Sequence, residues 1–192
     1  MRARIAALGD SVTVGVGDSV AGRGWAALLA EALAPADLAN LAVNGARVAD
    51  VLRDQVPRAV ALRPSFVTLL VGVNDTLRGD FDPVGIAADL DVVLARLTAT
   101  RARVLTATLP DPGLMLRIPE LLRRPLARRV RTINTIVTGL AGRPGTDRGG
   151  AQPVGERALA GHRGHGLAGA EVLGLPAGVR LARSQGGLAG PR

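Results

Sequence analysis

Three short segments carry the residue types that acyl transfer uses. Ser11 lies in Gly9-Asp10-Ser11-Val12-Thr13-Val14-Gly15, directly after an apolar run. Glycines on both sides let the backbone turn tightly and approach a ligand. A serine there is held at a sheet edge with its hydroxyl in reach of substrate. Read alone, the segment fits a helix cap equally well, because serine is a preferred N-cap residue. Asn44-Gly45 reads alone as a turn, or as a backbone N–H aimed at a developing negative charge. In Gly72-Val73-Asn74-Asp75, Asn74 and Asp75 read alone as caps, or Asn74 reads as an amide donor to the same charge. Together the three segments supply a hydroxyl, a backbone N–H and an amide N–H. Acyl transfer needs that set, a nucleophile with donors roughly 2.7–3.1 Å from the future oxyanion.

The elements that must position these residues alternate between strand and helix. Strands are expected over 4–9, 38–43, 66–72 and 102–109. Residues 66–72 are apolar and β-branched without alternation, as in a strand covered on both faces. Helices are expected over 24–34, 47–62, 83–99 and 119–141, with Pro57 kinking or ending the second and Pro83 opening the third. Four such alternations give an α/β fold with a parallel sheet and helices on both faces. Ligands then sit beyond the carboxyl ends of the strands. Ser11, Gly45 and Asn74 each follow a strand.

Gly17-Asp18-Ser19-Val20 repeats the first motif without a convincing strand before it, so Ser19 reads as a loop or cap residue. The nearby glycines, Gly15, Gly17 and Gly22, do not make the G-x-G-x-x-G of a dinucleotide loop. Among the 192 residues, 47% are hydrophobic and 21% charged, enough apolar surface for one folded domain. The absence of cysteine excludes a disulfide scaffold and a thiolate metal or redox site. Aromatics at 2% make stacking platforms for single-stranded nucleic acid implausible. The 24 basic residues are all arginine and the formal net charge is +8. Arg123, Arg124, Arg128 and Arg131 recur at helical spacing and read as one solvated face, ahead of a phosphate- or membrane-surface role. No apolar run approaches the roughly 20 residues that span a bilayer. The short N-terminal apolar stretch gives a cytoplasmic expectation. Neither a nucleic-acid partner nor a cofactor or metal is expected.

The order and spacing of Gly-Asp-Ser-(x)3-Gly at 9–15, Gly45 and Gly-x-Asn-Asp at 72–75 resemble the first three motif blocks of the SGNH, or GDSL-type, hydrolases. The resemblance covers residues 1 to about 142. It implies a flavodoxin-like three-layer α/β/α sandwich and hydrolysis of a small ester or thioester. It further implies Ser11 as nucleophile. The Ser11 N–H, Gly45 N–H and Asn74 side chain would form the oxyanion hole, with Asp10 and Asp75 in support. A non-catalytic α/β domain that binds a small molecule or anion at its strand ends is the competing reading.

The family's last block, Asp-x-x-His, is not found. The only histidines are His162 and His165, and Asp147 is followed by Arg148-Gly149-Gly150. Either histidine reads as a remnant of the general base, a substitute for it, or an accident of reading frame. Of the 50 residues from 143 to 192, 32 are Gly, Ala, Arg or Pro. The expected organisation is a hydrolase-like domain over 1–142 and a Gly/Ala/Arg-rich tail over 143–192, poorly ordered or translated out of frame. Within that tail, 168–175 is expected to make at most a helical turn or two.

Overall fold

The computed structural model describes residues 3–18, 22–110, 119–141 and 172–173. Four strands, β1 (Ala3–Gly9), β2 (Ala36–Asn40), β3 (Phe66–Leu70) and β4 (Arg103–Ala107), form a parallel sheet. A two-residue strand, β5 (Val172–Leu173), pairs antiparallel with the edge of β4. The sheet order is β2-β1-β3-β4-β5. The helices are α1 (Ser11–Val14), α2 (Trp25–Ala32), α3 (Val48–Asp50), α4 (Val56–Leu62), α5 (Val73–Leu77), α6 (Pro83–Thr98) and α7 (Glu120–Ala141).

The chain moves one way along the sheet from β1 to β2, then reverses past β1 to β3 and continues to β4. Right-handed crossovers therefore put α2 on one face and α4 and α6 on the other. The packing agrees. Ala6 and Leu8 of β1 and Val67 and Leu69 of β3 share a core with Val56, Leu90, Val93 and Ile133 from α4, α6 and α7. Ile5, Ala7 and Leu105, pointing to the opposite face, are buried as well. Strands covered on both faces need no polar alternation, which is why β1 and β3 read as continuous apolar runs. The reversal at β1 opens a crevice between the carboxyl ends of β1 and β3, where this topology places ligands.

Three expectations need correction. β2 lies earlier than 38–43, because its register pairs Ala36–Asn40 with Ala3–Ala7. Leu41 and Val43 still donate to Ala7 and Gly9 at 2.8 and 3.2 Å, so the chain runs alongside β1 past the strand's end. Residues 47–62 do not stop at Pro57. A π-helical turn, Val51–Gln55, precedes it, and Pro57 sits in the first turn of α4, where an N–H is dispensable. Finally, Val172–Leu173 is strand, not helix. The open edge of β4 offers unpaired backbone groups that an apolar segment satisfies. Among the described residues no helix is long and apolar enough to cross a membrane.

Candidate active site

The turn after β1 is forced by Gly9, whose φ of +146° suits glycine alone. A side chain there would collide with the Leu70 carbonyl of β3. Asp10 N–H donates to that same carbonyl at 3.3 Å, so β1 and β3 leave the sheet together. Asp10, not Ser11, caps α1: its Oδ1 accepts from Val12 N–H at 3.1 Å. Ser11 is the first residue of α1, where helix geometry leaves the N–H without an intrahelical acceptor. Its side chain is half-buried and is not used as the cap.

Gly45 occupies the corner of a turn closed by Ala46 N–H on Val43 C=O at 3.1 Å. Its φ is +80° and its surroundings are open. Among the described residues, neither Ser11 N–H nor Gly45 N–H has an acceptor.

Asn74 joins the three segments. Its Nδ2 donates to the Ala46 carbonyl at 3.0 Å and to Asp10 Oδ2 at 3.4 Å. One carboxamide at the end of β3 thus touches the neighbour of Ser11 and the neighbour of Gly45. The three segments, far apart in sequence, are thereby joined at the carboxyl ends of β1 and β3.

The two aspartates differ. Asp75 is buried, yet both its oxygens accept from Val48 N–H, at 3.2 and 3.4 Å, and Arg47 Nε lies 3.5 Å away. It fastens the Gly45 loop to the end of β3. Burial still raises its pKa, against the pull of Val48 N–H and Arg47. Asp10 is equally buried with weaker support. Burial, with a contribution from the Asp75 charge, pushes its carboxyl up to about 6 despite the Val12 N–H bond.

Several positioning residues gave no sequence signal. Gln55, in the π-helical turn, takes Gly9 N–H on Oε1 at 2.8 Å and returns Nε2 to Gly9 C=O at 2.9 Å. Such turns are frequent at functional sites, but Gln55 reads in sequence as one more polar residue in an amphipathic helix. Trp25 Nε1 donates to Val12 C=O at 3.0 Å, and Asn40 Nδ2 to Thr13 C=O at 2.8 Å, fixing α1 from two sides. Arg129 of α7 donates to the Thr76 and Arg78 carbonyls at 2.9 and 2.7 Å and stacks 5.1 Å from the Phe81 ring centre. A groove of about 420 Å³ between α6 and α7, lined by Ala87, Asp91, Ile136 and Gly139, lies along the helices and not at the strand ends. His162, His165, Asp147 and Ser19 lie outside the described residues.

Residues 7–148 match the family model described as the GDSL-like lipase/acylhydrolase family. A search of curated protein sequences finds no significant match. Among solved structures, the chain is similar to AlinE4, an SGNH-hydrolase family esterase, at 26% identity and a TM-score of 0.56, covering 73% of this chain and 71% of that one. It is similar to TesA at 24% identity and a TM-score of 0.57, covering 72% of each chain. A member of the lipolytic protein G-D-S-L family from Veillonella parvula DSM 2008 aligns at 22% identity and a TM-score of 0.57, over 72% of each chain. The strand-end geometry, the parallel sheet and the match over most of its length agree: the chain belongs to the GDSL-like lipase/acylhydrolase family, and its class of chemistry is ester hydrolysis.

Proposed function

We propose that Ser11 is the nucleophile of a serine acylhydrolase acting on a small ester or thioester. The Ser11 N–H, the Gly45 N–H and the Asn74 amide hold the oxyanion. The observation that carries this reading is the Asn74 carboxamide, which ties the Ser11 turn to the Gly45 turn. Of its two N–H bonds, the longer one to Asp10 is the one a substrate oxygen would draw away. Attack by Ser11 Oγ on the carbonyl carbon leaves negative charge on the oxygen between these donors. Asp10 and Asp75 then act in support, as the cap of α1 and the fastening of the Gly45 loop.

The proton on Ser11 Oγ needs an acceptor. Residues 1–142 contain no histidine, and the chain has no Asp-x-x-His. We therefore propose a two-part chain: a hydrolase domain over 1–142, and a tail over 143–192 that does not deliver the usual base through His162 or His165. Turnover is then slow. Loss of the histidine from an intact triad costs on the order of a million-fold in kcat.

Hydrolysis of 4-nitrophenyl acetate by this 192-residue chain tests the reading. The expected result is turnover near background, with Ser11→Ala changing little. Brisk hydrolysis abolished by Ser11→Ala keeps the nucleophile but overturns the slow-turnover claim; His162→Ala and His165→Ala then identify the base. Brisk hydrolysis that survives Ser11→Ala overturns the site itself. If an ester analogue binds but no serine reacts, even with a strong electrophile, the non-catalytic binding domain is the better reading.

A further inference from the structure

Seven large apolar side chains are exposed among the described residues, and six of them gather at one end of the molecule. Val14 and Val16 follow β1, Val43 follows β2, and Leu77 closes α5 after β3. Val84 begins α6 and is 78% exposed; Leu121 begins α7 and is 86% exposed. The seventh, Val92, lies halfway along α6. Scattered exposed apolar residues are ordinary on a soluble surface. Their concentration at the carboxyl end of the sheet is not.

The outer face of α7 at this end is basic, although Asp18, Asp80 and Asp82 are also exposed there. α7 is fixed to the strand ends by Asn134, which bonds Leu109 just past β4, and by Ile133, which packs against Gly72 just past β3. One turn earlier, Arg129 reaches the Thr76 and Arg78 carbonyls beyond Asn74. The first part of α7 therefore extends past the sheet, on the side where Ser11, Gly45 and Asn74 open. At 1.5 Å per residue, Leu121 stands roughly 12 Å beyond Arg129. Arg124, Arg128 and Arg131 lie at i, i+4 and i+7, directly opposite the buried stripe of Leu126, Val130, Ile133 and Val137. All three are exposed, and among the described residues none has an acidic partner. The nearby Asp80 carboxylate is already taken by Arg47 at 2.9 Å.

We propose that this end of the molecule docks on an anionic phospholipid surface, with Arg124, Arg128 and Arg131 against the headgroup phosphates and the exposed valines and leucines at the acyl boundary. A basic face bordered by apolar side chains is the combination that lies in a membrane interface. The Ser11 crevice would then open toward the lipid. Binding itself does not depend on Ser11; only its purpose rests on the acylhydrolase reading.

Flotation of the full chain with phosphatidylglycerol/phosphatidylcholine vesicles tests this, with pure phosphatidylcholine as the neutral arm. The expected result is binding to the anionic vesicles at low salt and release at high salt. Arg124→Gln/Arg128→Gln/Arg131→Gln should weaken partitioning roughly 100-fold, about fivefold per guanidinium. A control removing three arginines from the opposite end, Arg63→Gln/Arg101→Gln/Arg103→Gln, should change it by less than about fivefold. Leu121→Ser should weaken binding without altering its salt dependence. Circular dichroism confirms that each variant is folded. Absence of anionic-vesicle binding, equal losses in the two triple variants, or equal affinity for a duplex oligonucleotide would overturn the proposal.

Discussion

At the end of β4, the Asn134 carboxamide holds both the N–H and the C=O of Leu109, at 2.7 and 2.8 Å. At the end of β1, Gln55 does the same for Gly9, at 2.8 and 2.9 Å. The two clamps are chemically alike, yet the backbone beyond each is used differently. The Leu109 clamp ties its strand end to α7. The Gly9 clamp holds a turn in which Asp10 N–H pairs with Leu70 C=O, while the Ser11 N–H, and the Gly45 N–H of the neighbouring loop, have no acceptor among the described residues. A strand end that is closed off is framework. A strand end held equally firmly, with donors left open, is where charge can be received. The two buried aspartates repeat the contrast. Asp75 is satisfied from Val48 and Arg47, whereas Asp10 has one firm N–H bond and a long one, and its pKa rises to about 6.

The largest way to break the framework is Gly9→Ala. A methyl group there meets the Leu70 carbonyl, and φ stands at +146°. The expected loss is roughly 4 kcal/mol or more, read as a collapse of the urea midpoint. A midpoint close to that of wild type would show that β1 and β3 separate easily.

Asn74→Ala should slow acylation of Ser11 by a fluorophosphonate about 100- to 1000-fold, the usual consequence of removing one oxyanion donor. An unchanged rate would leave Asn74 as a brace only.

Asp10→Asn isolates the strained carboxylate. Its folded pKa, about 6, lies above the ordinary 3.8, so the folded state holds the proton more tightly. That contribution to stability is complete below about pH 4 and is lost as pH rises through about 6. Asparagine caps as well as aspartate and carries no charge. The variant should therefore match wild type near pH 4 and exceed it by up to about 3 kcal/mol at about pH 8. A difference that does not vary with pH would contradict this assignment.

The smallest effects come from the matched pair Gln55→Leu and Asn134→Leu. Gln55→Leu leaves the Gly9 N–H unpaired, its C=O keeping Val43 N–H, and Asn134→Leu leaves both Leu109 groups unpaired; each should cost about 1–3 kcal/mol. Only Gln55→Leu should also slow Ser11 labelling, because only that clamp adjoins the nucleophile turn. Equal effects on labelling would erase the distinction between the two strand ends.

Much of this was legible in the residues. Ser11, Gly45 and Asn74 stand directly after apolar runs, and a parallel sheet brings strand ends together however far apart they lie in sequence. Pro83 announced the start of α6; the structure adds Asp82 as its cap, with Oδ1 accepting from Val84 N–H. The capping role at α1 was not legible between Asp10 and Ser11, since both residue types cap well and only geometry separates them. Gln55 and Asn134 were hidden because a buried carboxamide that clamps a backbone looks, in sequence, like any polar residue on a helix. The π-helical turn that aims Gln55 inward has no compositional signature. β5 could not be foreseen, because two residues are too few to carry a period.

The acylhydrolase reading depends most on Ser11 being a reactive nucleophile beside open backbone donors. Treating the folded chain with a fluorophosphonate and mapping the adduct by peptide mass spectrometry tests that claim. A single adduct is expected, on Ser11, formed slowly and abolished by prior unfolding. No adduct, or one on another serine such as Ser19 or Ser65, would contradict it.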